Sequence, residues 1–278
     1  MSMFSNHMKK CGIAVEVAKD RGVPYLASFI INGYGNVFLC SANHAYSRIY
    51  ARALGKPLIH VIGDSHSWAF KRNRQFIIHN IGPATAFNLA NKNSSVRSNE
   101  KLFREISRIN KGRDIVVMVF GEIDCRVHIY NQFKKNGEAI PISGIIDQTI
   151  SSYGSVLKQL HDMGINFCVY GVLPASREIL RYPPYATARM RKVDLEEFKG
   201  RYPYLADLGT RSLINREFNE RLKAYCTNNS YKYIDIYAQV ADGGGIIRDE
   251  YAADEIHVNG KIMPFIKDWF KNAYGLNL

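Results

Sequence analysis

The chain has 278 residues, 46% of them hydrophobic, and a formal net charge of +12. That is the make-up of a globular protein with a real core, in one large α/β domain or two small ones. No apolar run approaches the roughly 18 residues a membrane span needs. Five widely spaced cysteines (Cys11, Cys40, Cys125, Cys168, Cys226) with no CxxC pair indicate neither a disulfide framework nor a zinc ribbon. The basic excess favours an anionic partner, whether acidic polysaccharide, nucleotide-bearing cofactor, membrane surface or nucleic acid, and does not choose among them.

Met1 to Lys10 is polar, and no apolar signal region or small-residue cleavage pattern follows it. Together with unpaired cysteines this gives a cytoplasmic expectation. Residues 1–57 read as an N-terminal extension of unassigned role. Within it, Asn36 to Cys40 is a short strand candidate. His44 to Leu54 looks helical, with Tyr46, Ile49, Tyr50 and Leu54 near one face.

From Leu58 onward strands and helices alternate. Strand candidates are 58–63, 75–81, 114–120, 166–173 and 232–237, short and largely apolar, as strands covered on both faces should be. Ile146, Ile150, Tyr153, Leu157 and Leu160 repeat on one helical face, and Ile214, Phe218, Leu222 and Tyr225 on another. Arg211, Arg216, Glu217, Glu220, Arg221 and Lys223 read as the solvated sides of that second helix. A last helix spans about 260–273. The alternation predicts a mostly parallel sheet with right-handed crossovers. About 36 residues between the fourth strand and the helix near 210 break the pattern, with a short helix expected around 192–199. This insertion, about 175–208, is basic and tyrosine-rich. Arg177, Arg181, Tyr182 and Tyr185 in it are candidate substrate contacts of a lid or binding arm; an insertion of its own is the alternative.

The first core strand ends in Gly63-Asp64-Ser65, which puts a hydroxyl at the C-terminal edge of the sheet, where ligands of open α/β sheets sit. Trp68, Ala69 and Phe70 can open a helix there. Asp64 reads as the residue that holds the turn by binding backbone N–H groups, and His66 as a packing or capping residue. Lys71, Arg72 and Arg74 form a basic run, a solvated face or an anion site. A serine needs a base and a group to orient that base. Near the C-terminus, Asp254 stands three residues before His257, in a turn entering a helix. Asp64, His66, Asp124 and His128 match no common metal-ligand spacing, and Gly243 to Gly245 lack a phosphate-loop context. Neither a metal nor a cofactor is expected.

Gly63-Asp64-Ser65 resembles the first block of the SGNH/GDSL hydrolase superfamily, and Asp254 to His257 its last block, DxxH. Gly82 after the second strand matches the glycine block. Gly121-Glu122-Ile123-Asp124 after the third strand stands where the family has GxND. The resemblance covers about residues 57–273. It implies a three-layer α/β/α sandwich with a mostly parallel five-stranded sheet, flavodoxin-like, in a domain of residues 58–278. It implies Ser65 as nucleophile, His257 as base and Asp254 as orienting acid, with the N–H groups of Ser65 and Gly82 as oxyanion donors. Ile123 departs from the pattern, because the family's asparagine donates there and isoleucine cannot. Arg126, His128 or a protonated Glu122 can complete the hole, or Glu122 and Arg126 form an ion pair that shapes the site, with Asp124 beside them.

The activity implied is that of a serine esterase removing acetyl groups from a carbohydrate through an acyl-serine. The alternatives are an O-acetyltransferase passing the acyl group from acyl-CoA to a glycan precursor, and a non-catalytic glycan-binding module. The partner expected is an acylated small molecule or carbohydrate, acidic in character, rather than a nucleic acid.

Overall fold

The five apolar runs are five strands: β1 (Ile59–Gly63), β2 (Phe76–Asn80), β3 (Ile115–Val119), β4 (Phe167–Tyr170) and β5 (Lys232–Ile234). The computed structural model describes residues 44–45, 47–49, 51, 53–71, 75–176, 207–253 and 256–278. The strands form one sheet in the order β2-β1-β3-β4-β5, and every pairing is parallel. Each strand is shorter than the apolar run that announced it. Pairing stops where the chain turns at the sheet's edges, although apolar residues such as Phe120 and Leu173 continue into the core.

Alternate residues of each strand face opposite sides. Ile62, Val116, Met118, Phe167 and Val169 pack on one face. Ile59, Val61, Ile115, Val117, Cys168 and Tyr170 pack on the other. The first face is covered by α1 (Ser98–Ile106), α2 (Ile129–Lys135), α3 (Ile142–Asp162) and α4 (Leu208–Asn228). The second is covered by α6 (Met263–Tyr274), with Val240 of the short α5 (Tyr237–Val240). This is a three-layer α/β/α arrangement with an all-parallel sheet. Both long helices announced by their periodicity bury the expected stripe. In α3, Ile146, Ile150, Tyr153, Leu157 and Leu160 are buried; in α4, Ile214, Phe218 and Leu222 are, while Tyr225 at the stripe's end is half-buried.

One expectation is corrected. Arg211 is not solvated: it is 3% exposed, because the first turn of α4 tucks under the segment after β4, where its Nη1 donates to the Ser176 carbonyl at 3.0 Å. The described residues from 44 to 53 are helical, as expected, and Ile49 and Leu54 are exposed. The strand at 36–40, Tyr46, Tyr50 and the helix at 192–199 lie outside the described residues.

At the other end of β1 a buried polar chain ties three elements together. His60 Nδ1 and His79 Nε2 share a hydrogen bond of 2.9 Å. His60 Nε2 lies 3.4 Å from Asp114 Oδ2, and His79 Nδ1 lies 3.2 Å from Glu105 Oε2. Burial, and then the neighbouring His60, push His79 down to about 4. The unfolded chain protonates this imidazole below pH ~6.5, while the folded protein resists until about 4. The unfolded state therefore binds the extra proton in that window, and stability falls as pH falls through it, by at most about 3 kcal/mol. The expected result is a melting temperature that drops between pH 7 and pH 4 in the wild type and drops less in His79→Gln.

Candidate active site

The chain leaves β1 towards β2 and then crosses to β3 on β1's other side. The loops after β1 and β3 diverge at this switch point and open a crevice at the C-terminal edge. The first carries Asp64 and Ser65, the second Gly121 to Asp124. Gly63 lets β1 end hard against β3: a Cβ there would stand 2.3 Å from the Val119 carbonyl oxygen. Ser65 opens a six-residue 3-10 turn, Ser65–Phe70, where a helix was anticipated to open at Trp68. Asp64 holds that turn, as its residue type predicts. Its Oδ1 accepts the His66 N–H at 2.8 Å, and its carbonyl accepts the Ser67 hydroxyl at 2.7 Å.

His257 comes from the far end of the chain, 192 residues away, and its Nε2 lies 2.8 Å from Ser65 Oγ. Its loop is closed by short backbone bonds, Ala253 N–H to the His257 carbonyl and Asn259 N–H to the Tyr251 carbonyl, both 2.8 Å. The Asn259 side chain staples the loop. Its Nδ2 donates to the Glu250 and Ala252 carbonyls, while its Oδ1 caps the next turn through the Lys261 N–H. Asn259 is a positioning residue that the sequence did not single out. An asparagine two residues past a histidine is a weak local signal, and its role appears only once the loop is closed. Asp254 lies outside the described residues, as do Arg72, Arg74, Arg177, Arg181, Tyr182 and Tyr185.

The block after β3 supplies charge rather than an amide donor. Glu122 Oε1 accepts from Arg126 Nε at 2.6 Å, and Glu122 Oε2 pairs with His66 Nε2 at 3.1 Å. Burial works against the Glu122 carboxylate, but Arg126 and His66 outweigh it and hold its pKa far below the usual range. Glu122 is therefore ionised, which corrects the idea of a protonated Glu122 donating to an oxyanion. Burial also works against a His66 cation, and the carboxylates of Glu122 and Asp64 outweigh it, so the His66 pKa is raised. The His66 ring lies 4.9 Å from the His257 ring, tilted by 38°.

Other site candidates serve elsewhere. Asp124 is buried and accepts the N–H groups of Ala86 at 2.6 Å and Phe87 at 3.1 Å, pinning the loop after β2. Burial pushes its carboxyl up to about 7 in spite of those bonds. The His128 ring lies 4.5 Å from that of Phe87, tilted by 36°, so it supports the same loop. The Gly82 N–H is taken by Asn80 Oδ1 at 2.8 Å in a tight turn. In this conformation it is engaged, where the resemblance had it free for an oxyanion. Among the described residues no group of three His, Cys, Asp or Glu is arranged to hold a metal ion, and no helix is long and apolar enough to cross a membrane.

Ser65 and His257 open on a cleft of about 320 Å³ lined also by Trp68, Ala69, Lys71, Ala253, Val258 and Asn259. Trp68, Ala69, Ala253 and Val258 give it apolar walls, and Lys71 and Asn259 a polar side.

No protein-family model and no curated protein matches the chain. Solved structures do. A GDSL-like lipase from Bacteroides thetaiotaomicron is 17% identical with a TM-score of 0.49, over 84% of this chain and 97% of that one. An acetyl xylan esterase is 13% identical with a TM-score of 0.44, over 78% and 100%. A catalytic mutant of an acetylxylan esterase from Geobacillus stearothermophilus is 10% identical with a TM-score of 0.41, over 79% and 94%.

Proposed function

We propose that the protein is a serine esterase of the SGNH/GDSL type that removes acetyl groups from a carbohydrate. One observation carries this reading: Ser65 Oγ and His257 Nε2, 192 residues apart in sequence, meet at 2.8 Å at the sheet edge where α/β enzymes bind ligands. A hydroxyl with an imidazole nitrogen at hydrogen-bond distance is a nucleophile with its base in place. The apolar side chains of Trp68, Ala69, Ala253 and Val258 beside the pair support a small acyl group there.

The steps follow from that pair. His257 Nε2 takes the Ser65 proton as Oγ attacks the ester carbonyl. The tetrahedral intermediate collapses to acetyl-Ser65, and the imidazolium returns its proton to the departing sugar oxygen. Water then attacks the acyl carbon, His257 accepts a proton from it, and acetate leaves as Ser65 regains its hydrogen. Asp254, three residues before His257 in the sequence, is assigned the orienting role. The oxyanion takes the Ser65 N–H and, once the exposed Asn80 side chain releases it, the Gly82 N–H. That exchange swaps one bond for a charge-assisted one and so costs little.

The test is a fluorophosphonate probe read by intact mass. One adduct on the wild type and none on Ser65→Ala is the expected result; an unlabelled wild type overturns the reading. Incubation with a chromogenic acetyl ester and sugar acceptors then separates the outcomes. Free acetate supports hydrolysis, and an acetylated sugar assigns the transferase alternative instead.

A further inference from the structure

The 3-10 turn that carries the nucleophile has a period of three in its burial. His66, Ser67 and Phe70 point inward and are buried. Ser65 and Trp68 are half-buried, Lys71 is exposed, and all three line the cleft with His257. The period is that of the turn itself: at three residues per turn, side chains at i and i+3 lie one above the other. The turn is closed as far as residue 71, because the Lys71 N–H donates to the Trp68 carbonyl at 3.2 Å. Nucleophile, indole and ammonium therefore form one row along the cleft, in steps of about 6 Å at a rise of about 2 Å per residue. Ala69 adds only a methyl group beside the row. Trp68 also packs against the core, which holds its ring in place. Among the described residues the Lys71 ammonium has no carboxylate partner, and no Asp or Glu is among those that line the cleft.

We propose that this row selects the substrate class: the ester is carried by an anionic sugar, a uronic acid residue. Its ring lies on Trp68, its carboxylate meets Lys71, and its acetyl group reaches Ser65. This rests on the esterase reading for the fate of the acetyl group, while the sugar site is measured without it. The face of an indole is the negative side of its quadrupole, so it attracts the C–H groups on one face of a pyranose ring. Two steps of the row leave room for one such ring with a substituent at each end. An ammonium is a compact point charge on a flexible stem, and one carboxylate balances it. A doubly charged phosphate would leave a charge unmatched, and no arginine is among the described residues that line the cleft. The net charge of +12 also draws a chain of such acidic residues towards the protein.

The experiment compares two ligands, methyl β-D-glucuronide and methyl β-D-glucoside, which differ only in a carboxylate against a hydroxymethyl group. Neither carries an ester, so binding to the full chain is read without turnover. Tryptophan fluorescence follows it in wild type, Trp68→Phe, Lys71→Gln and Lys71→Arg. The chain has two tryptophans, so the difference between wild type and Trp68→Phe isolates Trp68. The expected result is a saturable change in the wild type that disappears in Trp68→Phe. The glucuronide binds about fivefold more tightly than the glucoside at low ionic strength, the strength of an exposed ion pair. That preference falls to within about twofold of parity in Lys71→Gln, and in the wild type at about 0.5 M salt; Lys71→Arg, which keeps the charge, retains most of it. Each preference is a ratio within one protein, so a general weakening in a variant cancels. Lys71 is exposed, so its variants stay informative if Trp68→Phe does not fold. Absent or equal binding of the two sugars by the wild type, or a preference that survives Lys71→Gln, overturns the proposal. So does a fluorescence change that survives Trp68→Phe. Labelling of Ser65 by the fluorophosphonate decides the esterase reading separately: an unlabelled wild type that still prefers the glucuronide loses that reading and keeps the acidic-sugar site.

Discussion

Replacing Ser65 by alanine lowers turnover of a chromogenic acetyl ester by about 10⁴-fold or more, and His257→Ala lowers it by a comparable factor. The double variant is no slower than the slower single one, because nucleophile and base act as a unit and removing either disables both. Both side chains are only half-buried and face the cleft, so the losses come without unfolding and melting temperatures stay within about 2 °C of wild type. Two independent, multiplying losses, or residual turnover within tenfold of wild type in Ser65→Ala, would place the chemistry elsewhere. The measurement is initial rate against ester concentration for all four proteins, with the residual rate compared with buffer.

The second large effect is on the fold. Gly63→Ala places a methyl 2.3 Å from the Val119 carbonyl oxygen and 2.7 Å from the Val119 Cβ. Neither atom is the end of a flexible side chain. Both belong to β3, the central strand that pairs with β1 on one side and β4 on the other, so relief requires the two innermost strands to part. Overpacking a core costs about 1–3 kcal/mol where side chains can give; here the cost is about 3 kcal/mol or more. Ser65 lies two residues on, so the same displacement shifts its Oγ from His257, and labelling by the fluorophosphonate falls about a hundredfold in whatever fraction remains folded. Gly112→Ala is the control, because its nearest neighbour is 3.8 Å away and it leaves both readings nearly unchanged. Urea unfolding curves together with labelling rates check the pair. A Gly63→Ala protein as stable as wild type would show that β1 and β3 do not approach as closely as described.

Local signals carried some parts of the protein and not others. The five strands were legible because a buried parallel strand is apolar on both faces and so appears as a continuous run. The helices α3 and α4 were legible because 21 residues repeat their buried stripe many times. The helices α1 and α2 were not, since Ser98–Ile106 buries only Leu102 and Ile106 among its apolar residues and Ile129–Lys135 buries only Ile129. One or two apolar positions do not define a period. Arg211 was misplaced for a related reason. Periodicity assigns a residue to a helix face, but the face that packs at the first turn of α4 depends on the segment after β4 lying over it.

Sequence by itself determined the chemistry on offer: a serine after the first strand, an Asp–x–x–His near the end, and a third block in which glutamate and isoleucine replace the expected donor. It also determined the strands that would carry them, because strand formation follows from residues next to one another. Only the tertiary structure decided that His257 reaches Ser65 and that Glu122 turns to His66 and Arg126. It alone showed that Asp124 serves the 86–87 backbone and that Asn80 occupies the Gly82 N–H. Arg126 and Asn80 stand close in the chain to the groups they meet, but the partnerships of Ser65 with His257, His66 with Glu122 and Asp124 with Ala86 join groups far apart, settled by the order in which the strands pack and by which buried charge must be neutralised. No pattern of neighbouring residues encodes that choice.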